Sequence, residues 1–422
     1  MVPGPEAVTA PKRFRMLGIS SDNYPPKRVD VAVLFGEELA GRGHRIDWIL
    51  QSEAACNRSY ATQWHDGTVW VGATDLGASL LSRIRRHARG ILHDLRVFGL
   101  ARSGKYDFIL VKDKFVSGVS ALLAARLYRL RFVFWLSYPI PESYLISAQE
   151  GTARYPVLYR IRGRIFDAFL YRVLLPAAEH IFVQSEQMRR DVAARGIPEG
   201  KLTAVPMGIR VATFATAESP DRRVIPQGER CFLYLGTLAR LRRLAFIVRV
   251  LAAVRRELPD VKLYVVGRGD DPRDEQELID EATRLNVLSS MVLTGELPQA
   301  EALRYVFEAD VCISPFFPTP ILNSTSPTKL VEYMAAGKAV VANDHPEQRF
   351  VIEQSGGGFC VPYDVDAFAQ ALLTLLRAPE LAKTMGERGR RYAVEHRAYG
   401  SIADLVEREL LKIVQRHECV HP

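Results

Sequence analysis

Short apolar runs alternate with segments of helical period along the whole chain. Residues 14–19, 44–50, 106–111, 132–136, 180–185 and 202–209 are apolar, short and bounded by turn residues, the pattern of buried strands. Between them, 29–42, 117–128 and 186–194 carry apolar positions at helical spacing. The rhythm starts afresh at 231–236 and repeats at 261–266, 292–297, 310–315 and 339–342, with helices expected to 257 and over 367–376, 380–396 and 401–415. Strands that alternate with helices predict parallel, doubly wound α/β sheets, one in each half. Ligands of such sheets bind at the carboxyl ends of the strands. The loop 20–26, with Ser21 and Asp22, is therefore expected to face a ligand.

One stretch combines several signals. Residues 323–343 read as loop, short helix, tight stop and buried strand. Ser326 is expected to cap the helix, Pro327 to take its first position and Gly337 to end it in a left-handed turn. The N–H groups of Thr328, Lys329 and Leu330 then lie free at the positive end of the helix, an anion site to which Lys329 adds a full charge. Glu332 falls one turn on, on the same face. This suits a phosphorylated sugar, with Lys329 on the phosphate and Glu332 on ribose hydroxyls. It equally suits a capped helix with an exposed Lys–Glu pair. The loop 237–243 offers Arg240, Arg242 and Arg243, whose planar forks match phosphate oxygens; a solvated basic loop is the alternative.

The composition narrows the class. A chain of 422 residues with 48% hydrophobic content is long enough for two domains with separate cores. Cys56, Cys231, Cys312, Cys360 and Cys419 show neither zinc-ligand nor C-x-x-C spacing. Cys231, Cys312 and Cys360 lie in strand-like runs and are expected to be buried thiols in a reducing compartment. No signal-peptide shape opens the chain, and no apolar stretch is long enough to cross a bilayer. A cytoplasmic protein without metal or cofactor is expected. The net charge of +8 points to an anionic partner. Zinc-finger and aromatic RNA-binding signatures are missing, so nucleic acid is not expected; an anionic membrane or a nucleotide-bearing substrate remains.

Two segments of the first half are arginine-rich and apolar together. Residues 80–102 set Arg83, Arg85, Arg86, Arg89, Arg96 and Arg102 among Leu81, Ile84, Ile91, Leu92, Leu95, Val97 and Phe98. Residues 154–175 repeat the style with Arg160, Arg162, Arg164 and Arg172. This is the pattern of a helix lying in a membrane interface. It is also that of an ordinary helix whose apolar face meets the core.

The stretch Ser326-Pro327-Thr328-Lys329-Leu330-Val331-Glu332-Tyr333-Met334-Ala335-Ala336-Gly337 closely resembles the donor-binding helix of retaining GT-B glycosyltransferases of family 4. The usual mark of that family is two glutamates with seven residues between them. Glu332 matches the second, and the first falls at Ser324, a departure shared by bacterial members with a Ser-Pro-x-Lys helix. The resemblance implies two doubly wound Rossmann-like domains facing across a cleft, with Lys329 and Arg242 on the donor diphosphate as the catalytic pair. It implies that Arg240, Arg243, Gly267, Leu297, Ser324, Thr328, Leu330 and Glu332 bind the donor, the backbone near Leu297 holding the base. Thr237 stands where relatives have a first basic residue. The acceptor side would include Ser21, Asp22 and Ser137, where many relatives have a histidine at the last of these.

The expected domains are 1–215, with 1–13 a loose lead-in, a linker 216–228, a nucleotide-sugar domain 229–396, and a last helix in 397–422 returning to the first domain. The implied activity is transfer, with retention, from a nucleotide-diphosphate sugar to a hydroxyl acceptor in polysaccharide or glycolipid assembly. A lipid-linked glycan and a peripheral place on the inner membrane face belong to that expectation. A nucleotide-sugar epimerase and a lapsed binding protein remain as alternatives.

Overall fold

A computed structural model describes residues 13–77, 79–151, 153, 155–215, 223–269 and 271–418. The chain divides into two compact units. One gathers the chain through Val183, then Val192–Thr203 and the chain from Ala403; the other gathers Gln184–Asp191 and Ala204–Ile402.

The first unit is built on an eight-stranded sheet. Its strands are β1 (Arg15–Tyr24), β2 (Arg45–Ser52), β3 (Tyr60–Trp64), β4 (Gly67–Gly72), β5 (Phe108–Lys112), β6 (Arg131–Leu136), β7 (His180–Val183) and β8 (Leu202–Ala204). They lie in the order β3-β4-β2-β1-β5-β6-β7-β8. The pairs from β4 through β7 are parallel, and β3 joins β4 antiparallel. Both faces of the central strands are covered, which is why β5 and β6 read as continuous apolar runs.

Three details differ from the sequence pattern. β1 runs on to Tyr24, through residues expected to form a loop, because its pairing with β2 slips after Ile19 and resumes at Asn23. The β3–β4 hairpin is an element the pattern does not predict. It turns at His65-Asp66, with His65 at φ 52, ahead of Gly67, where a Cβ would lie 1.8 Å from the Ile46 carbonyl oxygen. The helix Asp30–Leu39 is wound with π-type pairing and stops at Gly43, φ 86.

The last helix, Tyr399–Glu418, is bound to the first unit by charge. The Glu407 carboxylate accepts from His44 Nε2 at 2.7 Å and from Arg42 at 2.5 Å. His44 in turn accepts the Phe14 N–H at Nδ1 and stacks on the Phe14 ring at 3.8 Å.

The two arginine-rich segments are helical, Leu80–Asp94 with Arg96–Ala101, and Pro156–Phe169. Their apolar side chains do not all turn inward. Leu81, Ile84, Ile91, Leu92 and Leu95 are exposed on the first, and Val157, Leu158, Ile161, Ile165 and Phe169 on the second, where only Gly163 is buried. Arg154 of the second segment lies outside the described residues. No helix among the described residues is long and apolar enough to cross a membrane.

The second unit holds a six-stranded, wholly parallel sheet: β9 (Cys231–Leu235), β10 (Lys262–Val266), β11 (Met291–Gly295), β12 (Val311–Ser314), β13 (Ala339–Asn343) and β14 (Gly358–Val361). The order β11-β10-β9-β12-β13-β14 reverses direction between β9 and β12. Apolar clusters fill both sides, one around Phe232, Ile247 and Leu372, the other around Leu233, Tyr333 and Val340. Each unit is thus a doubly wound, Rossmann-like α/β lobe.

Cys231 and Cys312 are fully buried, and burial pushes the Cys231 thiol up to about 12. Cys360, expected to be buried, is only half-buried because β14 is an edge strand. Cys419, the lead-in 1–12 and residues 216–222 of the expected linker lie outside the described residues. Beyond that gap, the Val224 and Ile225 amides donate to Glu308.

Candidate active site

In an open α/β sheet, the crevice forms where strand order reverses, outside the carboxyl ends of the two flanking strands. In the second unit these are β9 and β12. β9 ends in Tyr234-Leu235-Gly236 and β12 opens into the loop that starts at Phe316. The helix Thr328–Ala335 follows that loop, and its first turn brings Lys329 back to β9.

Lys329 is buried, at 7% exposure. Its Nζ donates to the Tyr234 hydroxyl at 2.9 Å and lies 4.1 Å from the Tyr234 ring centroid and 5.2 Å from that of Phe316. Arg242, on the helical turn Arg240–Arg242, donates to the same hydroxyl at 3.2 Å. Neither cation forms an ion pair among the described residues. Burial, then repulsion from Arg242, holds the Lys329 ammonium well below its ordinary value, while Glu332 pulls the other way. Burial pushes the Glu332 carboxyl up, against the attraction of Lys329. A buried lysine beside a half-buried arginine, neither with a carboxylate partner, is an arrangement that an entering anion would complete.

Two glycines allow the approach. At Gly236, φ 146, a Cβ would come within 3.3 Å of Lys329 Nζ and 3.6 Å of Arg242 Nη1. At Gly267, φ 137, it would lie 2.2 Å from the Gly236 carbonyl oxygen. Gly267 therefore sits directly against the β9 turn, and its N–H donates to the carbonyl of Gly295 at the end of β11. Leu297, two residues beyond, is half-buried. Arg240 and Arg243 are exposed on the same loop, Arg243 over the Phe317 ring at 3.9 Å.

The helix start differs from expectation. Pro327, not Ser326, is the N-cap, and no side chain caps the turn. The Ser326 hydroxyl instead accepts the Met207 N–H at 3.0 Å, a long-range bond that sequence spacing cannot anticipate. The N–H groups of Thr328, Lys329 and Leu330 consequently have no side-chain cap. At the other end Gly337, φ 73, donates to Met334 and Lys338 to Tyr333, which closes a Schellman turn. Ser324 is buried; its hydroxyl donates to Asp191 and its carbonyl accepts from the Ser185 hydroxyl at 2.7 Å.

A set of buried polar side chains beyond the expected residues fixes the loop 316–326. Asn343, at the end of β13, binds the Phe316 backbone in both directions. Gln348 donates to the Asn343 carbonyl at 3.2 Å. His345 caps the helix Pro346–Ser355 by accepting the Glu347 N–H at Nδ1, so its proton is on Nε2, which donates to the Leu322 carbonyl at 2.7 Å. Burial draws His345 down to about 4, against the pull of that carbonyl. Their common signal in the sequence is the cluster Asn343, His345 and Gln348 directly after an apolar strand.

In the first unit, Asp22 and Ser137 fall into one buried charge network, while Ser21 is exposed. Lys112, wholly buried at the end of β5, lies 3.0 Å from Asp22, 3.4 Å from Asp30 and 3.5 Å from Asp113. Burial alone would depress the Lys112 ammonium; Asp30, Asp113 and Asp22 outweigh it and hold it above its ordinary value. Arg28 pairs with Asp30 at 2.9 Å. Asp113, held in the left-handed region at φ 55, accepts the Ser137 N–H at 2.8 Å and its hydroxyl as well. Lys112 and Asp113 lie next to each other at a strand end, yet only the fold joins them to residues 22, 30 and 137. Among the described residues no group of three His, Cys, Asp or Glu side chains is placed to hold a metal.

Two family models match the chain, "Glycosyl transferase 4-like domain" over residues 31–208 and "Glycosyl transferases group 1" over residues 229–378. A phosphatidyl-myo-inositol mannosyltransferase of Mycolicibacterium smegmatis is 33% identical over 179 residues, 42% of this chain and 43% of that one. The match therefore spans less than half of that relative. An alpha-monoglucosyldiacylglycerol synthase of Streptococcus pneumoniae is 23% identical over 86% of this chain and 79% of its own. Among solved structures, the sucrose-phosphate synthase of Thermosynechococcus elongatus superimposes with a TM-score of 0.73 at 18% identity, covering 96% of this chain and 100% of the other. That likeness is one of fold.

Proposed function

We propose, from the premise that this chain is a family-4-like glycosyltransferase of GT-B fold, that it moves a sugar from a nucleotide-diphosphate sugar to a lipid-borne hydroxyl with retention. The observation that carries the donor side is the unpaired Lys329–Arg242 pair at the carboxyl end of β9. As the sugar leaves, negative charge grows on the diphosphate. Two fixed cations and an uncapped helix start stabilise that charge more than the ground state, which is the source of rate. Glu332, one turn along the helix, accepts from the ribose. Arg240 and Arg243 widen the basic rim, and the backbone at Gly267 and Leu297 borders the nucleotide. No divalent metal is called for, because these groups already oppose the charge.

The acceptor side rests on the first unit. Asp22 and Ser137 are held by the Lys112–Asp113 network, so their oxygens are fixed acceptors for sugar or polyol hydroxyls. The exposed apolar side chains of Leu80–Asp94 and Pro156–Phe169, set among arginines, suit an anionic bilayer surface. Each Lys or Arg near such a surface contributes roughly 1 kcal/mol, so several give reversible docking. One relative is by name a phosphatidyl-myo-inositol mannosyltransferase and another an alpha-monoglucosyldiacylglycerol synthase, which favours a lipid acceptor.

The test is incubation of the full chain with nucleotide sugars and anionic-lipid vesicles bearing glycolipid acceptors, with EDTA present throughout. Transfer of label to lipid, with the anomeric configuration read by NMR, is expected. Label confined to a C-epimer of the donor, or donor binding without any turnover, would replace this reading.

A further inference from the structure

We infer that Tyr234 is a positioning residue that holds Lys329 and Arg242 together as a single diphosphate-binding pair; the inference rests on the nucleotide-sugar reading above. Its hydroxyl oxygen accepts from Lys329 Nζ at 2.9 Å and from Arg242 Nη1 at 3.2 Å. Its own proton is directed at the Thr237 carbonyl, 3.2 Å away. A phenol has one proton to give and two lone pairs to accept with, so its capacity is fully used.

The arrangement answers a physical problem. Two cations within hydrogen-bond distance of one atom repel each other, and burial disfavours the Lys329 ammonium as well. A carboxylate between them would pair with both and compete with the phosphate that has to enter. An apolar side chain would leave both undirected. A neutral hydroxyl directs them while binding each only weakly, and a charge-assisted bond to phosphate readily displaces a bond to a neutral oxygen. The ring adds to this, since Lys329 Nζ lies over its π face and near that of Phe316. Tyr234 is itself fully buried on β9, so the strand fixes where its oxygen stands. The carbonyl that orients the phenol belongs to Thr237, on the same loop as Arg242, so the phenol is tied to the segment that carries one of its two cations.

Calorimetry of the full chain with UDP, GDP, ADP and inorganic pyrophosphate, run beside thermal unfolding, tests this. Wild-type protein should bind at least one nucleoside diphosphate, with pyrophosphate competing; failure of the wild type to bind any of them sinks the nucleotide-sugar reading itself. Given wild-type binding, Tyr234→Phe should weaken it about tenfold. In turnover, kcat should fall more than KM rises, since the pair acts most strongly on the departing diphosphate. In a Lys329→Met background the same change should lose most of its effect. Unchanged affinity in Tyr234→Phe, or an undiminished further loss in the Lys329→Met background, overturns the inference. So does a fall in unfolding temperature of more than about 10 °C, which would make the hydroxyl a prop of the fold.

Discussion

Asn343 holds Phe316 by both ends of one amide: the Phe316 N–H donates to Oδ1 at 2.6 Å, and Nδ2 donates to the Phe316 carbonyl at 2.9 Å. All of these atoms are buried, so the pairing fixes how the loop leaves β12 and where the Phe316 ring meets Lys329 and Arg242. Asn343→Leu strands a buried N–H and a buried carbonyl, each costing about 1–3 kcal/mol. A loss of roughly 2–4 kcal/mol in chemical denaturation is expected, together with weaker nucleotide binding. Wild-type values for both would show that the loop needs no such tie.

Lys329→Ala and Arg242→Ala should each nearly abolish transfer. Loss of one charged donor from a dry site removes about 2–4 kcal/mol of transition-state stabilisation. Steady-state kinetics with a saturating donor measures it, and wild-type turnover in either variant refutes the assignment. Glu332→Gln should weaken donor binding with a smaller effect on kcat, because the ribose contact exists before and during reaction.

Stability should fall with acid through His345. Its neutral ring caps one helix and donates to the Leu322 carbonyl, and burial lowers it to about 4 from 6.5. A folded-state value below the unfolded one means that the unfolded chain binds the proton first. The contribution is therefore complete above about pH 6.5 and is lost as pH falls towards 4, by roughly 3 kcal/mol in all. His345→Asn, which can still cap, should flatten this part of the urea-stability profile. A profile unchanged between pH 6.5 and 4 would remove His345 from the account.

Docking to anionic vesicles should depend on the exposed apolar residues of Leu80–Asp94. Leu81 is 74% exposed and Leu92 65%. Leu81→Asp with Leu92→Asp should leave stability within about 0.5 kcal/mol, as surface changes do, while co-flotation at low salt is largely lost. High salt should release the wild type as the arginine attraction is screened. Wild-type protein that fails to float at low salt would point to a non-membrane acceptor.

The strand–helix rhythm, both doubly wound lobes and the helix that carries Lys329 were open to reading from the sequence. Apolar runs, a proline near the start and Gly337 at the stop are local signals, and backbone geometry acts on them over a few residues. The β3–β4 hairpin escaped because β3 is largely exposed and gives no apolar run, while β4 offers only the three apolar residues Val69, Trp70 and Val71 between glycines and Thr68. The true cap of the key helix escaped because Ser326 serves Met207, 119 residues away. The fate of the amphipathic helices was undecidable in one dimension, since periodicity gives an apolar face without saying what covers it.

Sequence alone thus determined which side chains could oppose a phosphate: Arg242 and Lys329 each stand beside a recognisable turn or helix start. Only the tertiary structure decided that both meet one buried hydroxyl. Tyr234 lies 95 residues from Lys329 along the chain, on a strand whose apolar pattern says nothing of its oxygen. The same holds for Lys112, which reads as the end of a strand until folding sets Asp22, Asp30 and Asp113 around it. Hydrophobic period is a property of neighbours in sequence. A buried charge acquires its partners only when distant strand ends are brought together, and the sheet order does that.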